Sequence, residues 1–170
     1  MTTQIAGAVL ILGAVLWLGM GLSAEEKRRG AELGAFCHLL EALRNGIASA
    51  SMPVSDICLH FSDETLAQNG FLPRLHELCR EQAASPLSRA FSEHRAECGF
   101  ALSEDEAALF SEFASGLGQE DSAGEVRRCD YYLSLWRARL SAAEDGLSAN
   151  TRILRTLPLA CGGLLILLFV

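Results

Sequence analysis

The chain has 170 residues, with 14 Lys and Arg against 21 Asp and Glu and a formal charge of −7. That acidic balance argues against a nucleic-acid surface, which needs a positive field, and suits solubility or a basic partner. Every one of these charges falls between Glu25 and Arg155. The result is a polar stretch of about 130 residues, enough for one domain, between two uncharged ends.

The first segment, residues 1–24, is apolar from Ile5 to Leu22. At about 1.5 Å of rise per residue, a helix of this length just spans a hydrocarbon core of roughly 30 Å. A cleaved signal peptide needs a basic start, and Met1-Thr2-Thr3-Gln4 has none. The segment is therefore expected to be retained as a transmembrane anchor. Lys27, Arg28 and Arg29 come directly after it. Lys and Arg beside a span stay on the cytoplasmic side, which places the polar stretch in the cytoplasm.

Leu33, Phe36, Leu40, Leu43 and Ile47 recur in steps of three and four, which predicts a helix from about Glu25 to Ala48 with one apolar face. Ser51-Met52-Pro53 stops it and starts a short helix carrying Val54, Ile57, Cys58 and Phe61. Residues 62–70, with Asp63, Asn69 and Gly70, are the weakest stretch for any element. Pro73 and Pro86 are expected in the first turns of two further helices, ending near Gln82 and Cys98. Ser103 with Glu106 and Ser122 with Glu125 read as capping boxes, in which the Ser caps the helix amides and the Glu reaches back to the Ser amide. The first box opens a helix carrying Ala107, Phe110 and Phe113; Gly116 and Gly118 supply the left-handed turn that ends it.

The last helix is the most regular. Val126, Cys129, Leu133, Trp136, Leu140, Ala143, Leu147, Asn150, Leu154 and Leu157 keep 3-4 spacing without a break. From Ser122 to Leu157 it would be about 54 Å long. Asn150 on this seam either fixes register or is simply exposed, and Arg128 is expected on the opposite, solvent face. The helix runs into residues 156–170, an apolar segment of roughly 22 Å as a helix. That is short for a span, but the preceding turn can lengthen it while Arg152 and Arg155 snorkel to the interface. These two basic residues also agree with the first flank on orientation.

The expected layout is all-α: a transmembrane anchor at 1–24, a cytoplasmic bundle of about six helices at 25–155 with a long C-terminal helix, and a C-terminal transmembrane segment at 156–170. The first and last helices should pack antiparallel, because each emerges from its own apolar segment.

No residue pattern announces catalysis. There is no phosphate-binding glycine loop. His38, His60, His76 and His94 are not spaced with acids or cysteines as zinc ligands would be. The carboxylates at Glu104-Asp105-Glu106 and Glu144-Asp145 read as helix starts or solvated faces. Cys37, Cys58 and Cys79 are each 21 residues apart, but no repeat surrounds them and the spacing reads as chance. In a cytoplasmic domain the cysteines should be reduced, most of them as small core residues. No cofactor, metal or catalytic residue is expected.

The stretch Phe113-Ala114-Ser115-Gly116-Leu117-Gly118-Gln119-Glu120-Asp121 resembles the F-G-x-x-L-G-x-x-D signature of the stage III sporulation protein AB family. Asn150-Thr151-Arg152-Ile153-Leu154-Arg155-Thr156-Leu157 is similar to the N-x-x-x-x-R-x-L that closes the family's last helix, and an apolar tail with Gly162-Gly163 comes after it. Ala114 stands where the signature has its first glycine, and Glu125 where the family usually has Gln. The resemblance implies a non-enzymatic platform of the channel complex between mother cell and forespore, in the mother-cell membrane around the forespore with its domain facing the cytoplasm. It implies an all-α domain similar to that of type II secretion platform proteins. Its implied partners are the ATPase of the stage III sporulation protein AA type, other membrane components of the complex, and lipid. Phe113, Leu117, Gly118, Asp121, Asn150 and Arg155 are then structural signature residues. The alternative is a membrane-tethered, ligand-sensing helical domain.

Overall fold

The structure, a computed structural model, describes residues 24–49, 52–97 and 99–146 in full. Helices run over α1 (Thr2–Ala50), α2 (Val54–His60), α3 (Glu64–Gln68), α4 (Phe71–Arg80), α5 (Pro86–Glu97), α6 (Glu104–Gly116) and α7 (Ser122–Phe169), with no strand among the described residues. Among those residues no helix is long and apolar enough to cross a membrane. The two segments expected to do so, 1–23 of the first anchor and 156–170, lie outside them. So do the side chains of Leu147, Asn150, Leu154, Arg155 and Leu157.

α1 and α7 pack along each other and run antiparallel. Arg44 of α1 meets Asp130 of α7 at 2.6 Å, and Glu41 meets Arg137 at 2.6 Å, so rising numbers on one helix pair with falling numbers on the other. Farther along the pair, the Phe36 and Trp136 rings lie 5.5 Å apart. This is the expected hairpin. Its faces differ from the expectation in width. The whole predicted stripe of α1 is buried, but so are Glu32, Ala35, Cys37 and Leu39. A stripe serves one partner, whereas α1 also packs on α2 and α3 and meets α6 through its side chains. The α7 seam is narrower: Cys129, Leu133 and Trp136 are buried, while Leu140 and Ala143 are only partly covered.

The remaining helices wrap the other sides of α1. Gly46 lies where α2 crosses α1: a Cβ there would sit 2.6 Å from Ile57 Cδ1, inside van der Waals contact, so a larger residue would force the Ile57 side chain aside. α3 fills the stretch in which the sequence pattern shows no element. Asp63 caps it by accepting the Leu66 amide at 3.2 Å, and Leu66 is fully buried. The helix has five residues, too few to show a periodic face. Pro53 stands just outside α2 as its cap rather than inside its first turn.

Leu40 is fully buried and Leu140 only partly so. Leu40→Ala should therefore lower unfolding free energy by roughly 2–5 kcal/mol. Leu140→Ala should cost less, about 1–2 kcal/mol, since less of its area leaves water on folding. Urea melts of the two variants check this, and equal losses would contradict the packing.

Candidate functional site

Among the described residues no three His, Cys, Asp or Glu side chains come together as a metal site would require. Chemistry-bearing side chains do gather in two places, one at each end of the α1–α7 pair.

The first is a clasp beside the N-terminal stretch of the domain. Glu106 is completely buried, not solvated as its neighbours Glu104 and Asp105 are. Its carboxylate accepts from the Ser103 amide at 2.7 Å while Ser103 Oγ accepts from the Glu106 amide, the capping box expected at the start of α6. The same carboxylate also receives both Nε and Nη2 of Arg29 from α1, at 3.1 and 2.5 Å. Burial alone would raise the Glu106 pKa; the Arg29 and Ser103 hydrogen bonds outweigh it and hold the group below the usual carboxylate value. One turn on, buried Glu32 accepts from Arg28 Nε at 3.2 Å and from the Ala101 amide at 2.7 Å. Arg28 also donates to the Gly99 carbonyl. The basic residues at the end of the first apolar segment are thus engaged by buried carboxylates of the domain. His94 lies beside this clasp, buried against Phe100 and Phe71, and burial holds its imidazole below 6.5.

The second place is the α6–α7 turn, at the other end. Four signature residues meet here. Phe113 is fully buried against Phe110 and Tyr132. Leu117 closes α6 in extended conformation. Gly118 takes φ +85°, a left-handed value that costs a side chain-bearing residue about 1–2 kcal/mol. Asp121 accepts the Gly124 amide at 2.9 Å and is the cap of α7, so Ser122 is its first residue and the second expected capping box does not form. Glu125 reaches past Ser122 instead. Its Oε1 accepts the consecutive amides of Gly118, Gln119 and Glu120 at 2.9–3.0 Å, in a buried position. Three amides converging on one carboxylate oxygen fix the turn.

Arg128 is not a solvent-face bystander. It bonds Glu120 at 2.5 Å and lies across Gly116, where any Cβ would collide with its guanidinium. Gly116 is accordingly a helical residue needed for that approach, and Gly118 alone makes the left-handed turn.

A groove of about 590 Å³ opens beside this turn. Val54 and Ser55 of α2, Cys79 of α4, Gln82, Ala83 and Ser85 between α4 and α5, Pro86 and Leu87, and Ala114, Leu117 and Gly118 line it. Gln82 and Ser85 hold φ of 53° and 50° without being glycine. Such backbone persists where the surroundings over-determine it, and it clusters at binding surfaces. No sequence signal announced the groove, because its walls come from three separate segments whose residues are individually ordinary.

A family model described as stage III sporulation protein AB matches residues 4–170, nearly the whole chain. No curated protein and no solved structure matches.

Arg29→Met should cost roughly 3–5 kcal/mol, because it leaves the Glu106 carboxylate buried and uncompensated. Adding Glu106→Gln should recover most of that loss. Stability should also fall with acidification. The unfolded chain takes up a proton on His94 below 6.5 that the buried imidazole resists, and Glu106 adds its loss as pH falls below 4.5 toward its lowered folded value. Urea melts from pH 8 to 4 read both slopes, and His94→Gln should flatten the upper one.

Proposed function

The chain belongs to the stage III sporulation protein AB family, and on that premise we propose that it is a non-enzymatic membrane platform of the mother cell–forespore channel complex. Its helical domain docks a cytoplasmic ATPase of the stage III sporulation protein AA type. Residues 1–24 and 156–170 anchor it in the mother-cell membrane around the forespore, against lipid and other membrane components of the complex, and the domain faces the cytoplasm.

One observation carries this reading: the antiparallel pairing of α1 with α7. It sends both uncharged ends of the chain the same way, so a single membrane can hold both, and it points the α6–α7 turn away from that membrane. The groove beside this turn then lies at the membrane-distal pole, where a cytoplasmic partner can reach it. The buried carboxylates that hold Arg28 and Arg29 support a rigid joint between domain and anchor. A groove of this volume also falls within the roughly 300–1,000 Å³ range of small-molecule sites, which favours ligand sensing as the second reading.

Two measurements test the platform reading. In spheroplasts of vegetative cells expressing the chain, where the plasma membrane faces the medium, a membrane-impermeant maleimide should label Thr3→Cys and leave Gln119→Cys unlabelled; labelling of Gln119→Cys would place the domain on the wrong side. The detergent-solubilised full-length chain should retain the ATPase, and Ala83→Arg in the groove should abolish retention without lowering the melting temperature. Failure of the unsubstituted chain to retain the ATPase would overturn the docking role. Full retention by Ala83→Arg would move docking to another face.

A further inference from the structure

We propose that Cys58 and Cys79 are a redox-active thiol pair, open to the groove through Cys79, which a hydroperoxide closes to a disulfide joining α2 to α4. The two lie 21 residues apart in sequence, a spacing that reads as chance, and the packing of α2 on α4 brings them together. Cys58 is fully buried on α2, Cys79 nearly so in the last turn of α4, the two helices pack on each other, and each thiol alters the other's proton affinity. Cys79 lines the groove and Cys58 does not, so a small oxidant meets one sulfur first and the second waits behind it.

The two thiols differ in acidity, and that assigns the roles. Interaction with Cys79, together with burial, raises the Cys58 pKa well above the ordinary thiol value; interaction with Cys58 lowers that of Cys79 against the opposing effects of burial and Asp56. The thiolate is the nucleophile. Cys79 sulfur attacks the distal oxygen of the hydroperoxide, the O–O bond breaks, and the alcohol departs with a proton, leaving a sulfenic acid. Cys58 sulfur then attacks Cys79 sulfur, the hydroxyl leaves as water with the Cys58 proton, and the disulfide forms. Two thiols lose two electrons, and the peroxide gains them as one alcohol and one water. Cys37 and Cys129 are the contrast. Each is buried, and burial pushes each up to about 11. Thiolate fraction falls tenfold per unit, but intrinsic nucleophilicity rises with pKa and returns nearly half of that loss. Over two units Cys79 should still react roughly tenfold faster or more. Thiol chemistry of this kind does not depend on the platform reading.

The test uses the reduced, full-length protein in detergent, treated with hydrogen peroxide, alkylated and digested with trypsin without reduction. Cys58 lies in peptide 45–74 and Cys79 in peptide 75–80, with no other cysteine in either. The expected result is these two peptides joined by a disulfide, with free Cys79 lost at least about tenfold faster than Cys37 or Cys129. Cys58→Ser should leave Cys79 as a sulfenic acid that dimedone traps, and Cys79→Ser should leave Cys58 reduced. A bridge to any other cysteine, equal rates at all four, or Cys79 oxidised to sulfinic acid with Cys58 still free would overturn the proposal. The unsubstituted chain decides the matter even if a variant unfolds.

Discussion

The Phe36 ring meets Phe71, Phe91, Phe100, Phe110 and Trp136 with centroids 4.5–6.0 Å apart. Those partners come from α4, α5, the α5–α6 connection, α6 and α7, so one side chain of α1 touches nearly every layer of the domain. Most of these ring pairs are edge-on or tilted, the arrangements in which a ring's positive rim faces a neighbour's negative face, worth about 0.5–1.5 kcal/mol each beyond area burial. A hub of this kind explains why α1 is buried around more of its circumference than one apolar stripe can account for. α7 covers one side of it and the short helices cover the rest. The antiparallel course of α1 and α7 lets the two long helices share Phe36 and Trp136 while their ends stay together.

Charge enters that core only under tight conditions. Glu32, Glu106 and Glu125 are all buried, which is unfavourable for a carboxylate unless its oxygens find donors. Glu32 and Glu106 find donors for both oxygens and Glu125 for Oε1 alone, and each draws on a connection between helices: Ala101 and Ser103 in the α5–α6 connection, Gly118 to Glu120 in the α6–α7 turn. The carboxylates therefore hold loops, and two of them hold the loops against arginines at the foot of α1. On the proposed reading of the uncharged ends as membrane anchors, that coupling would matter. Displacing an anchor relative to the bundle would have to break the Arg29–Glu106 pair, whose carboxylate has no solvent to fall back on. Arg28 and Arg29 would then serve both as an orientation signal and as a mechanical joint.

The long elements were legible in the sequence because they carry period: α1 and α7 by their 3-4 spacing, α6 by its capping box and its Phe110 and Phe113. The family signature was legible too, and its residues prove to be a turn: Gly118 for its left-handed backbone, Asp121 as a cap, Phe113 and Leu117 as its apolar support. What escaped were effects of partners distant in sequence. Glu106 looked solvated beside Glu104 and Asp105; nothing local says that Arg29, 77 residues away, covers it. Glu125 looked like the ordinary far half of a capping box, yet Asp121 took the cap and left Glu125 to gather the turn. Cys58 and Cys79 looked like coincidence because helix packing, not spacing, brings them together. α3 was missed because a five-residue helix carries its signal in one cap, Asp63, and one buried leucine.

Whether both uncharged ends leave the domain at one end depends on the α1–α7 pairing holding in the full-length protein. Adjacent packed helices lie about 8–10 Å apart between axes. Carried down the pair from the Phe36–Trp136 contact, the antiparallel register sets Lys27 opposite the neighbourhood of Glu144. Spin labels on Lys27→Cys and Glu144→Cys in the detergent-solubilised chain, read by pulsed dipolar spectroscopy against the unsubstituted background, measure this directly. The account predicts one narrow distribution near 15–25 Å, roughly the helix spacing plus the two label arms. A parallel or splayed arrangement would shift it by about the 30 Å that α1 covers between Lys27 and Ile47, and a distribution centred beyond about 40 Å would contradict the account.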